Sequence, residues 1–141
     1  MASRIVVALI VVVVAVVVAR LLERRRPAPP PRDAYPVPAQ LDRLDFPRPD
    51  APWLFVLFSS RTCDSCRPMA IRVAALQSET VATVEVEASQ DKELHRRYRV
   101  DGVPMVVLAD AEGVVRAGFV GSVDSWELEE ALDTARGGDP A

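Results

Sequence analysis

Nine of the chain's twelve prolines fall between residues 27 and 52, three of them in a row at Pro29, Pro30 and Pro31. Proline removes a backbone donor and clashes with the preceding helical turn, so this stretch cannot be helical and reads as an extended, polyproline-like spacer. Within it only Leu41 to Phe46 has a texture suited to a short strand. At 141 residues the chain has room for one small domain plus accessories. The expected organisation is an apolar segment over residues 1–22, an Arg/Pro-rich linker over 23–50, a folded domain over 51–136 and a tail over 137–141.

Ahead of the prolines, Ile5 to Ala19 is fifteen consecutive apolar residues, and Leu21 and Leu22 carry the run to eighteen if Arg20 snorkels its guanidinium to an interface. The run has no polar face, which fits a transmembrane anchor and not a core helix. A cleavable signal peptide, with Arg4 as its charged region and Val17-Val18-Ala19 as the cleavage site, is the rival reading. Arg4 precedes the run, whereas Arg20, Arg24, Arg25, Arg26 and Arg32 follow it. The positive-inside rule then places the C-terminal domain in the cytoplasm, with an extracytoplasmic domain as the alternative.

Charge divides along the same line. Residues 1–39 carry six Arg against Glu23 and Asp33, a net +4; residues 40–136 carry eleven Lys or Arg against seventeen Asp or Glu, a net −6. An acidic domain has no basic stripe with which to neutralise phosphates, so no nucleic-acid partner is expected. Two cysteines and one histidine cannot make a four-ligand structural metal site, and no cofactor beyond the cysteine pair is expected.

From Trp53 the texture is that of a packed α/β unit. Trp53 to Phe58 is all apolar, as in a strand buried on both faces. Thr62 is placed as a helix N-cap, and Met69, Val73 and Leu76, with Ala70 and Ala74 beside them, have helical spacing. Val84 and Val86 alternate with polar neighbours, Asp91 to Tyr98 reads as a short charged helix, and Met105 to Ala109 is a second buried strand. A turn over Asp110 to Gly113 returns the chain as Val114 to Phe119, and Trp126 to Ala135 forms a last amphipathic helix with Glu127, Glu129 and Glu130 outward. The order is β-α-β-α-β-β-α.

Cys63-Asp64-Ser65-Cys66 lies between the first strand and its helix. Two thiols at i and i+3 on a first helical turn share one side and can close a disulfide. The first meets unpaired backbone N–H groups and the positive end of the helix dipole, which favour its thiolate; the second lies deeper and is shielded. Cys63 is therefore the expected attacking thiol and Cys66 the resolving one. Asp64 sets a carboxylate beside Cys63 and opposes the helix terminus. His95, among Arg96, Arg97 and Arg99, reads as a solvated surface residue.

With these motifs in place, residues 53–135 resemble the thioredoxin family: a buried strand, CxxC at a helix start, Tyr98 to Pro104 as Tyr-Arg-Val-Asp-Gly-Val-Pro, a hairpin, Gly121 and an amphipathic last helix. The resemblance implies a thioredoxin-like α/β fold, a central mixed sheet flanked by helices, and thiol-disulfide oxidoreductase activity on protein disulfides. It implies a thioredoxin reductase or another electron-relay protein as partner. It also implies that Pro104 is cis and faces the disulfide, so that Val103, Pro104 and Met105 form the substrate-binding edge. The departures lie at the site: Thr62 where the family usually has Trp, Asp64-Ser65 where it has Gly-Pro, Leu57 where it often places a buried Asp, and Pro68, expected to bend the helix near the thiols. A non-catalytic interaction or redox-sensing module is the alternative function.

Overall fold

The computed structural model describes residues 2–24 and 35–137; inside the first helix the described side chains are those of 3–18. The chain forms two compact units, residues 1–31 and 32–141. The described part of the first is one helix, α1 (Ala2–Arg24), whose described side chains are exposed all round, Ile5 by 61% and Val18 by 47%. Among the described residues no helix is long and apolar enough to cross a membrane. Leu21 and Leu22, on which the expected span depends, lie outside the described side chains.

In the second unit the expected order is realised: β1 (Trp53–Ser59), α2 (Cys66–Ala74), β2 (Val81–Glu87), α3 (Lys92–Arg97), β3 (Met105–Ala109), β4 (Val115–Val120) and α4 (Ser125–Gly137). The strands make one mixed sheet in the order β2-β1-β3-β4, with β1 parallel to β2 and antiparallel to β3. β1 is apolar up to its last residue because it lies in the middle of the sheet and is covered on both sides, so alternate residues feed two cores.

One face sets Phe55, Leu57, Val106 and Leu108 against Met69 and Val73 of α2 and Leu128 and Leu132 of α4. Arg72 of α2 ties down the approach to α4 by donating to the Val123 carbonyl at 2.7 Å. The opposite face, Leu54, Val56, Phe58, Met105 and Val107, is closed by Leu94 of α3, by Tyr98 at its C-cap and by Leu41, Phe46 and Ala51.

Leu41 and Phe46 correct the reading of 23–50 as a spacer. From Tyr35 onward the proline-rich segment belongs to the domain. It lies along β4, where Leu41 donates to the Gly113 carbonyl at 2.8 Å and Val115 donates to the Ala39 carbonyl at 3.0 Å. The stretch 41–46 is not a strand: Asp42 caps a 3-10 turn over Arg43–Asp45 by accepting from the Leu44 N–H at 3.0 Å. The buried Arg43 donates to the carbonyls of Asp110 at 2.7 Å, Ala51 at 2.8 Å and Arg48 at 3.2 Å. Burial pushes the Arg43 guanidinium below its ordinary pKa, against the pull of Asp110, Asp50 and Glu112. Arg48, at φ 53°, donates to Ser78, Val81 and Glu79 carbonyls, fastening the same segment to the loop before β2. Residues 25–34 lie outside the described residues.

Candidate active site

The cysteine loop leaves β1 at Ser59, and sheet register fixes what surrounds it. Ser59 pairs with Glu87 at the end of β2, and Phe58 pairs with Met105 at the start of β3. The cysteine loop, the residues after β2 and the residues before β3 therefore converge at one end of the sheet.

The loop is pinned by side chains at strand ends. Ser59 donates to Glu85 at 2.7 Å, and Glu87 accepts from the Arg61 N–H at 3.1 Å while its other oxygen lies 3.7 Å from the Arg61 guanidinium. Chiefly the hydrogen bond from Ser89, against a smaller effect of burial and with help from Arg61, lowers the Glu87 carboxyl below its ordinary value. Neither glutamate was legible as part of a site; each looks like the polar half of an alternating strand, and only the parallel register brings it to the loop.

Cys63 and Cys66 are joined in a disulfide, with their Cα atoms 5.4 Å apart. Cys63 is half-buried and Cys66 is 2% exposed. The helix begins later than its sequence suggests. Cys66 is its first residue, Ser65 its N-cap, and Cys63 sits in the preceding turn, its carbonyl accepting from the Cys66 N–H at 3.2 Å. Thr62 is not a cap; it is exposed and its Oγ1 lies 3.1 Å from the Ser60 hydroxyl. Ser65 Oγ lies 3.5 Å from Cys63 Sγ, and Asp64 is exposed.

Pro68 falls in the first turn of α2, where backbone N–H groups have no intrahelical partner, so it costs no hydrogen bond and the expected bend has no cause there. Leu57 is fully buried among Phe55, Met69 and Val73, leaving no carboxylate at its position. The nearest acid in register is Glu85, which pairs with Leu57 across β2 and is held by Ser59.

Opposite the cysteine loop, the Val103–Pro104 peptide is cis. Pro104 is buried and its carbonyl accepts from the Gly121 N–H at 2.8 Å. Met105 is fully buried in the core, so its side chain offers a substrate no surface. Val103 differs from both: it is half-buried, and among the described residues neither its N–H nor its carbonyl has a hydrogen-bond partner. His95 is not simply solvated. Its ring stands edge-on to Phe58 at 5.3 Å and its Nε2 donates to the Val86 carbonyl at 2.8 Å.

A family model described as a thioredoxin-like domain matches residues 45–136. The chain belongs to the thioredoxin-like family. No curated protein matches it. Among solved structures, one titled "Structure of a malarial protein" is similar with a TM-score of 0.55 at 17% identity, over 59% of this chain and 96% of that one. At that identity the likeness speaks for the fold alone. The family match starts at Asp45, inside the segment that sequence texture had assigned to a spacer. No group of His, Cys, Asp or Glu able to hold a metal occurs among the described residues.

Proposed function

We propose that the chain is a membrane-tethered thiol-disulfide oxidoreductase acting on protein disulfides, with Cys63 attacking and Cys66 resolving. The observation that carries this is the unequal exposure of the bonded pair, half-buried against 2%. In the reduced protein the Cys63 thiolate attacks a substrate disulfide, forms a mixed disulfide and releases one substrate thiolate. The Cys66 thiolate then attacks the Cys63 sulfur, releases the second substrate thiolate and restores the Cys63–Cys66 bond. Two electrons pass to the substrate, and a thioredoxin reductase or another electron-relay protein returns them. Run backward, the bonded pair oxidises a substrate dithiol.

Val103 supports a protein substrate. A residue next to the strand end with neither N–H nor carbonyl paired among the described residues invites pairing, and β-type bonds would hold a peptide at the end of the sheet that carries the cysteines. Thr62, Asp64 and Ser65 surround Cys63 and tune its reactivity. Support for the anchor is the helical state of α1 and the all-round apolar surface of its residues 5–18, which the sequence continues with Leu21 and Leu22. The arginines after the run support a cytoplasmic domain over an extracytoplasmic one. Leu57, standing where an acid would assist resolution, is the one observation that favours a sensing module without turnover.

Expression of Cys66→Ser in cells tests these readings together. A mixed disulfide through Cys63 should accumulate in the membrane fraction, and Cys63→Ser should trap little. Better trapping by Cys63→Ser reverses the roles, and no trapping by either favours the sensing module. Before lysis, a membrane-impermeant thiol reagent should leave reduced Cys63, the fraction not held in a mixed disulfide, unlabelled; labelling moves the domain outside.

A further inference from the structure

Tyr35 lies against Gly102. A Cβ built on Gly102 would come within 3.1 Å of the Tyr35 Cγ, 3.2 Å of Cδ2 and 3.3 Å of Cδ1, so the ring packs directly on the bare glycine backbone. Gly102 is two residues from Pro104 and adjoins Val103, whose backbone groups are unpaired. The ring is still 41% exposed. The segment behind it is fixed: Val37 fills the space a Cβ would take at Gly118, 2.4 Å from its Cγ1, and Leu41 is buried beside Gly113.

We propose that Tyr35 forms one wall of the substrate-peptide groove along Val103 and helps determine which protein disulfides the site accepts. The inference rests on the oxidoreductase reading above. A partly exposed aromatic ring held by a packed segment and seated on the glycine next to Val103 offers an extended peptide apolar contact where its backbone would pair. Only a substrate with chain on both sides of its disulfide reaches that wall. A small-molecule disulfide engages Cys63 without touching it. Thus Tyr35 acts on recognition and not on sulfur chemistry.

Steady-state reduction of insulin and of an aromatic small-molecule disulfide by the full chain, with an excess of chemical reductant, separates these contributions. Tyr35→Ala should raise KM for insulin about fivefold at unchanged kcat and leave the small disulfide within about twofold. Tyr35→Phe, which keeps the ring, should match the wild type. Gly102→Ala displaces the ring and should reproduce the Tyr35→Ala effect, while adding little in the Tyr35→Ala background. Insulin kinetics unchanged in Tyr35→Ala overturn the inference and leave the oxidoreductase reading intact. Equal loss on both substrates makes the ring a support for the loop, and additive effects of the two variants remove the ring contact as the cause; either overturns it. A wild type that reduces neither substrate overturns the oxidoreductase reading and this inference with it.

Discussion

The two faces of the sheet are closed by different means. On one, α2 and α4 lay apolar side chains over Phe55, Leu57, Val106 and Leu108. On the other, α3 supplies only six residues and much of the cover is the irregular segment from Tyr35 to Ala51. A helix pairs most of its own backbone groups, so it can cover a sheet by apolar contact alone. An irregular segment must have its polar groups paired one by one. Here arginine serves that end: Arg43 and Arg48 each donate to three backbone carbonyls. The irregular cover is thus held by a few many-handed side chains, and its stability should be concentrated in them.

The sharpest way to break this comparison is to empty an apolar site on each face. Phe46→Ala, which removes a buried ring stacked 5.8 Å from Tyr98, should cost about 3–5 kcal/mol in denaturant unfolding, within the range expected for Leu128→Ala under α4, about 2–5 kcal/mol. A cost for Phe46→Ala below about 1 kcal/mol would return the segment to the status of a spacer.

Arg43→Lys sharpens it further. An ammonium cannot span the three carbonyls that the planar fork reaches from two nitrogens, so the charge-conserving change should cost about 2–3 kcal/mol. Chemical unfolding of the pair of proteins measures it, and a loss within about 0.5 kcal/mol would show that the fork is dispensable.

Tyr98→Phe should have the smallest effect, about 1 kcal/mol, since it removes a hydroxyl that accepts from the Asp42 N–H at 3.0 Å and donates to the Asp45 carboxylate. Burial, then the bond to Asp45, push the Tyr98 phenol up to about 12. The unfolded chain ionises near its ordinary value of 10 while the fold holds the proton, so stability falls as pH rises from there to about 12. Tyr98→Phe should flatten the decline; an unaltered slope would assign it to other groups.

What was legible in the sequence follows the same division. Period and length in Trp53 to Phe58, Met69 to Leu76 and Met105 to Ala109 report elements whose neighbours share one geometry, so fold order could be read directly. The cysteine spacing likewise announced a closable pair. Leu41 and Phe46 carry no period, and the prolines around them look like those of a solvated tether; only the carbonyls met by Arg43, distant in sequence at Asp110, reveal the packing. The later start of α2 leaves no mark in the sequence because Thr62 is a good cap by composition, whereas its hydroxyl is engaged by Ser60. Tyr35 stayed invisible because a ring lying on a glycine 67 positions away leaves no local signal.

The contact of residues 39–41 with β4 bears on how the domain behaves in a crowd. β4 ends the sheet, and an uncovered end strand offers its backbone to any passing chain. The bonds to Gly113 and Val115 occupy part of that border from within the same molecule. Pro36 and Pro38 lead into the cover and have no N–H to give, so the added segment cannot itself recruit a further strand through those positions. The prolines that forbid a helix here also guard the sheet against stacking edge to edge into fibres.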